Sequence, residues 1–232
     1  MVKCIVISLC LAFGGMLAPK ATAGQALIAL VFGKKLTSDK LHIGIYLGAS
    51  ESWLQHATGQ HPRAALAIGA YTAFDLAEHW QLELDIIMRS PRGANRLRYE
   101  NYFQPPEDSM LAGSEFDRKL TYITFSPLMR WRISPSFGIA AGPQIAVRTV
   151  ARDIFHSERE NGTLSYTYDA RDDVHRLDAG AAFDVQYILM KGKGIRLNLQ
   201  FGLGLTNLYK REGYSGRSRQ ILLGAGIPIG HK

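Results

Sequence analysis

Apolar and polar residues alternate with a period of two along most of this chain. In residues 194–208, GIRLNLQFGLGLTNL, the odd positions from 195 to 205 are all aliphatic or aromatic, and the even positions carry arginine, amides, glycine and threonine. Successive side chains of a β-strand point to opposite faces, so this pattern predicts a strand with one apolar and one polar face. Such a strand fits a soluble sandwich with its apolar face inward, or an outer-membrane barrel with that face toward lipid.

The alternation recurs in eight segments, and the connections between them decide between these folds. The segments are 41–50, 62–73, 80–90, 119–132, 137–150, 175–189, 195–207 and 219–229. Most reach the roughly 9–11 residues that a tilted strand needs to cross a bilayer. Short turns at 74–79, 133–136 and 190–194 alternate with longer loops, as in bacterial outer-membrane barrels, whose short turns face the periplasm. The sequence therefore predicts an all-β fold, an eight-stranded antiparallel up-and-down transmembrane β-barrel.

The polar face of the predicted barrel carries charges of both signs. The interior of an eight-stranded barrel is just wide enough for side chains to fill, and a buried charge is costly unless it is paired. We therefore expect a structural network in the lumen, formed by Glu83, Asp85, Arg130, Arg132, Asp178, Asp184 and Arg196. The same alternation places Arg89 on the polar face. A narrow channel is the less favoured alternative, because these side chains fill the space.

The N-terminal residues predict export. Lys3, an apolar run from Cys4 to Leu17 and the small residues 21–23 form a secretory signal peptide over residues 1–23. Residues 24–40 then form a short periplasmic segment that can include a helix, and residues 41–232 form the barrel in the cell outer membrane. Both cysteines lie in the signal peptide, so the mature chain is expected to hold no disulfide or thiolate site.

The net charge and the sequence motifs limit the ligands and partners that are expected for this chain. The formal charge is +7, and removal of Lys3 and Lys20 with the signal peptide leaves +5. No basic block with interleaved aromatic residues points to nucleic acid. The seven histidines are scattered, without an HExxH motif or an acidic calcium loop. We expect no nucleic-acid partner, no metal and no cofactor.

No motif indicates catalysis, and one alternative stays open. The G-x-S-x-G elbow is absent, so the chain is expected to be no enzyme. His156, Ser157 and Glu158 are consecutive and cannot form a triad among themselves, since neighbours on an extended chain point in opposite directions. An outer-membrane enzyme that modifies lipid or cleaves peptide at the extracellular rim would need partners from other strands, such as Asp117 or His175.

The long loop 91–118 is the candidate surface for contact with a partner. It carries Arg96, Arg98, Tyr99, Tyr102 and Phe103, and arginine and aromatic residues are favoured at binding centres. The alternative is a solvated loop. The expected partners are outer-membrane lipid and proteins of secretion or of the envelope, and the oligomeric state is left open.

Both ends of the predicted mature chain resemble the PorT-family outer-membrane β-barrel proteins of the Bacteroidetes. The resemblance rests on Leu30, Phe32, Gly33, Lys35, Leu36, Lys40, Gly44 and Gly48 near the start and on Arg217, Gln220, Gly224, Gly226, Pro228 and Ile229 near the end. It implies an integral outer-membrane protein with a structural or accessory role, for which the family's precedent is protein secretion. It supplies no catalytic residues.

Overall fold

The computed structural model describes residues 41–55, 57, 59–98, 115–159, 162–192, 194–210 and 215–229. The predicted signal peptide and the segment 24–40 lie outside these residues, as do Tyr99, Tyr102 and Phe103. None of the helices within the described ranges is long and apolar enough to cross a membrane.

Nine strands account for most of the described chain. They are β1 Leu41–Gln55, β2 Arg63–Asp75, β3 Trp80–Arg98, β4 Glu115–Arg132, β5 Phe137–Arg159, β6 Gly162–Asp169, β7 Leu177–Ile188, β8 Arg196–Gly204 and β9 Arg217–Pro228. A single helical turn, Leu189–Gly192, links β7 to β8, and positive φ angles at Met190 and Lys191 make it left-handed. The strand order is β4-β3-β2-β1-β9-β8-β7-β5-β6, and β4 also pairs with β5. This last pairing closes eight strands into a ring, which confirms the predicted antiparallel barrel.

One connection that was predicted as a loop is largely strand. In the predicted loop 151–174, β5 continues to Arg159 and β6 returns from Gly162 to Asp169, paired along its length with β5. The alternation along β5 was hidden because the β4–β5 register shifts opposite Thr149. A bulge there moves the buried positions from even numbers to odd numbers. The hairpin therefore extends beyond the ring at the long-loop end.

The two faces of the ring follow the predicted alternation. In β7 and β8 the odd-numbered apolar side chains point outward, and the even-numbered polar residues point into the lumen and are mostly buried. Trp80 lies opposite Trp131 at the short-turn end, and both indoles are nearly half exposed on the outer surface. This is the position of an aromatic girdle at the membrane interface.

A bulge in β3 changes which residues face the lumen. The β2–β3 register shifts between the pairs Ile68–Arg89 and Gly69–Ile87. Ile87 and Ser90 are buried, whereas Met88 and Arg89 are both exposed. The prediction that Arg89 faces the lumen is therefore wrong, because the extra residue of the bulge turns its side chain outward.

Tyrosine rings fill part of the lumen by lying against glycines. A Cβ atom at Gly44 would come within 2.4 Å of the Tyr71 ring, and one at Gly224 within 2.4 Å of the Tyr46 ring. Both tyrosines are buried. The inward-facing glycines therefore provide the space in which these rings pack across the barrel.

The long-loop end contains its own small apolar core, which we call the cap cluster. Its members are Leu54, Ala94, Leu97, Phe116, Leu120, Tyr122, Ala146, Ala151, Phe155, Ala170, Val174 and Leu208. The rings of Phe116 and Phe155 pack with their centroids 5.1 Å apart. The His175 N–H donates to the Leu208 carbonyl at 2.8 Å and joins the two loops above the ring. Side chains from strands and loops thus cover this end of the lumen.

Candidate functional site

Five of the seven residues expected in the lumen network lie together near the short-turn end. We call them the lower layer: Glu83, Asp85, Arg130, Asp184 and Arg196. Arg130 Nε donates to Glu83 Oε2 at 2.7 Å, and its Nη2 donates to Asp184 Oδ1 at 2.6 Å. The Arg130 side chain is fully buried, and the two carboxylates are almost so. One guanidinium thus neutralises two buried carboxylates through charge-assisted hydrogen bonds.

The strand register explains this geometry. Arg130 lies opposite Ala140 in β5, and Ala140 lies opposite Asp184 in β7. Because alanine is small, the guanidinium can pass over β5 and reach Asp184 on the next strand. Glu83 lies diagonally from Arg130 in β3, two residues beyond Gln81, which is the direct partner of Arg130.

Other contacts of the lower layer cross the lumen from β8 to β3. Gln200 Nε2 donates to Asp85 Oδ2 at 3.0 Å. Arg196 Nη1 lies 3.8 Å from Glu83 Oε2, and its guanidinium stacks 4.3 Å from the centre of the Tyr71 ring. These contacts join opposite walls of the barrel.

Asp178 belongs to a second group nearer the long-loop end, which we call the upper layer: Arg92, Asp178 and Gln144. Arg92 Nη1 forms a buried ion pair with Asp178, and its Nη2 donates to Gln144 Oε1 at 2.9 Å. Sequence analysis missed the lumenal role of Arg92 and assigned this residue to the loop 91–118. An inward-facing Asp178 requires a cation, but the β3 bulge concealed that Arg92 faces inward.

Arg132 stands apart from both layers. It lies at the mouth of the barrel on the short-turn side, where its Nη1 is 3.1 Å from Asp75 Oδ1 and its side chain is 27% exposed. Its Nη2 donates to the Glu78 carbonyl at 2.8 Å. Arg132 thus shares the inward face of β4 with Arg130, but it lies at the end of the strand and meets the turn instead of the lower layer.

A third site of buried charge, formed by one ion pair, lies beside the cap cluster. Arg118 donates through Nε and Nη2 to the two carboxylate oxygens of Asp153, at 2.8 and 2.6 Å. The two residues are directly opposite each other in β4 and β5. In the nearby loop, burial raises the pKa of the Asp173 carboxyl, and the positive charge of Arg118 opposes this rise only in part.

The described part of the predicted contact loop lies at the top of β3. Arg96 and Arg98 are exposed there, and Arg96 Nε lies 4.0 Å from Glu115 Oε2. The Arg96 N–H donates to Asp117 Oδ1 at 3.0 Å. The other three members of this set, Tyr99, Tyr102 and Phe103, fall outside the described residues.

One pair bears on the alternative of an enzyme at the rim. His156 Nε2 lies 3.4 Å from Asp117 Oδ2, and the His156 side chain is 44% exposed. Both residues are on the outward face of the β4–β5 sheet, where such a pair resembles an ordinary surface ion pair. His175 lies in a different loop, held through its backbone to Leu208. Within the described ranges, no three His, Asp or Glu side chains are grouped so that they could hold a metal ion.

Comparison with known proteins identifies a family model that spans most of the chain. Residues 34–210 match the outer membrane protein beta-barrel domain. Similar solved structures include Ail, the attachment invasion locus protein of Yersinia pestis, at 12% identity and a TM-score of 0.45, covering 82% of this chain and 99% of that chain. Neisserial surface protein A has 11% identity and a TM-score of 0.42, with 81% and 97% covered. OprG from Pseudomonas aeruginosa has 12% identity and a TM-score of 0.37, with 82% and 95% covered. No curated protein sequence matches the chain.

Proposed function

The chain belongs to the outer membrane protein beta-barrel domain family, and on this premise we propose that it is a structural or accessory component of the envelope. It is an integral outer-membrane protein. In this role the protein has neither a transport pathway nor a reaction. The barrel anchors the chain in the outer membrane, and partner proteins bind to the surface at its long-loop end.

The filled lumen is the observation that carries this proposal. A water-filled pore leaves its lining accessible to solvent, but Glu83, Arg130 and Asp184 are at most 2% exposed. Arg92 and Asp178, at a second height, are equally buried. A lumen that is filled by both the lower and the upper layer, beneath the packed cap cluster, favours a structural role over transport through the barrel.

A role in protein secretion is the more specific form of this proposal. The resemblance of both chain ends to the PorT family supports it. In this form, residues 1–23 direct export, residues 24–40 lie on the periplasmic side, and residues 41–232 form the membrane anchor. The partners are secretion or envelope proteins that bind at the top of β3, where Arg96 and Arg98 are exposed and lead into the aromatic residues of the loop.

A crosslinking experiment in the native outer membrane tests the proposal. The full-length protein is tagged at its C terminus, crosslinked in cells, extracted in mild detergent and analysed by mass spectrometry. We expect envelope or secretion proteins in a fixed ratio to the barrel, and a reduced yield from the variant Arg96→Ala/Arg98→Ala. Arg171→Ala, which removes an exposed arginine from a different loop, is the matched control and should retain the partners. Recovery of the barrel alone contradicts an accessory role.

An enzyme at the rim is the second candidate function, and it depends on the Asp117–His156 pair. A histidine oriented by a carboxylate can act as a general base toward water or a hydroxyl group. Cells that carry His156→Ala are compared with wild-type cells for outer-membrane lipid species and cleaved surface peptides. A changed profile of lipids or peptides, with the folded barrel unaltered, would favour an enzymatic function. An unchanged profile would rule out this second candidate function.

A further inference from the structure

Three basic side chains point outward at the edge of the apolar band on the long-loop side. We call Arg89, Lys119 and Arg152 the outer cation group; they belong to β3, β4 and β5, which are neighbours in the ring. Arg89 is outward because of the β3 bulge, directly after the exposed Met88. From the girdle residue Trp131, the tilted strand rises about 30 Å along the barrel axis to Lys119. The apolar band of such barrels is about 25 Å tall, so Lys119 and the directly opposite Arg152 lie at the level of the outer lipid headgroups. By the same arithmetic Arg89 lies about 20 Å above Trp80, near the upper edge of the band, from where a long arginine side chain reaches up to the headgroups.

The arrangement of these cations is unfavourable without a counter-ion. Lys119 lies directly opposite Arg152 in the β4–β5 register, and like charges in directly opposed positions destabilise a sheet. Arg89 lies close enough to Arg63 for the two guanidinium groups to repel each other.

The nearby carboxylates are engaged elsewhere. Asp117, on the same face of β4, meets His156. Asp169 lies opposite Arg152 in β6 but is 3.6 Å from Arg171. Within the described part of the chain, none of the three cations is joined to a carboxylate by an ion pair of 4.0 Å or less. The group therefore presents a net positive surface to whatever lies beside the barrel.

We propose that the outer cation group binds the phosphate groups of a phosphorylated lipid in the outer leaflet. The family places the chain in that membrane, and the level of the three side chains matches its headgroups. Arginine forms forked hydrogen bonds with phosphate, and lysine supplies a compact positive charge. A phosphate between Lys119 and Arg152 turns their repulsion into two attractive contacts. This inference does not depend on the accessory role proposed above.

The stability of the folded protein in defined lipids tests the inference. The full chain is placed in nanodiscs of phosphatidylcholine that contain increasing fractions of lipid A, and the temperature at which the fast-migrating folded band is lost is measured. We expect lipid A to raise this temperature for the wild type, since a ligand stabilises the state that binds it. Arg89→Gln/Lys119→Gln/Arg152→Gln should need about a hundredfold more lipid A for the same shift.

Two comparisons keep the test decisive. The control Lys191→Gln/Lys193→Gln/Lys210→Gln removes the same net charge outside the outer cation group and should respond to lipid A as the wild type does. In phosphatidylcholine alone, the outer cation variant should be at least as heat-resistant as the wild type, because the repulsion is gone. An equal response of wild type and variant to lipid A overturns the proposal, and so does a lower stability of the variant in phosphatidylcholine alone.

Discussion

Arg130 shows how much can depend on one side chain inside this barrel. Its guanidinium is completely enclosed and binds both Glu83 and Asp184. Removing one member of a buried ion pair leaves an uncompensated charge, which costs far more than the net contribution of the pair. The lower layer therefore depends on this arginine more than on either carboxylate alone.

Arg130→Ala is expected to reduce the free energy of unfolding by about 3–5 kcal/mol, because in a buried site Asp184 loses its cation and Glu83 keeps only the more distant Arg196. The measurement is urea unfolding of the protein in lipid vesicles, followed by the loss of the folded band on unheated gels. Arg132→Ala is the matched control, two positions away on the same face of β4. Its partner Asp75 is partly exposed, so the loss there should stay within about 1 kcal/mol. Equal losses in the two variants would show that the lower layer does not stabilise the barrel.

The sequence was sufficient to predict lumenal residues wherever a strand is regular. In β4 and β7 the period of two placed Arg130 and Asp184 on the inner face, as the structure has them. It failed beside the β3 bulge: Arg89 was expected in the lumen but faces outward, and Arg92 was assigned to the loop 91–118 but lies in the lumen. A bulge adds one residue without a composition signal of its own, so pattern alone could not locate it.

The β5–β6 hairpin is the element that most changes the expected picture. It projects beyond the ring and contributes Phe155 to the cap cluster, where this ring packs on Phe116. The end of β5 and all of β6 were predicted as a loop, because the bulge at Thr149 interrupts the alternation and because short polar strands resemble loops in composition. The eight ring strands, by contrast, carry an apolar outer face over the part that crosses the membrane.

Phe155→Ala should loosen the cap cluster and leave the ring intact. Removal of a buried phenylalanine costs about 3–5 kcal/mol, and here the lost packing is confined to the long-loop end. We expect faster proteolysis of the loops in intact vesicles, with the folded band unchanged. Thr167→Ala, an exposed change on β6 of the same hairpin, should leave the rate of proteolysis as it is. If Phe155→Ala abolishes the folded band, the cap and the ring form one cooperative unit.

At the scale of the whole molecule, the buried upper and lower layers predict that the barrel conducts no ions. The protein inserted into a planar bilayer should show no stable current steps, since the upper and lower layers each block the lumen. The variant Arg92→Ala should also show no current steps, because the lower layer still fills the lumen. Reproducible steps from the wild type, with a conductance that rises with salt concentration, would refute a filled lumen.

The sequence predicted the architecture of the ring and its outer-membrane location more completely than its interior. The number of strands and the alternation of short turns with long loops follow from local patterns that can be read directly from the sequence. Contacts such as Gln200 with Asp85 join residues that are far apart in the chain and meet only across the lumen. Such pairings depend on the tilt and register of the closed ring, which no local pattern encodes.

The contacts across the lumen also constrain how the protein can assemble. Asp184 in β7 pairs with Arg130 in β4, across the intervening strand β5. From the opposite wall of the barrel, Arg196 lies near Glu83, and Gln200 donates a hydrogen bond to Asp85. A chain that entered the bilayer strand by strand would carry these charges unpaired into hydrocarbon, at a cost of several kcal/mol for each ion. Insertion and ring closure are therefore expected to be coupled, because Glu83 and Asp85 meet Arg196 and Gln200 only when β8 comes to face β3 across the lumen.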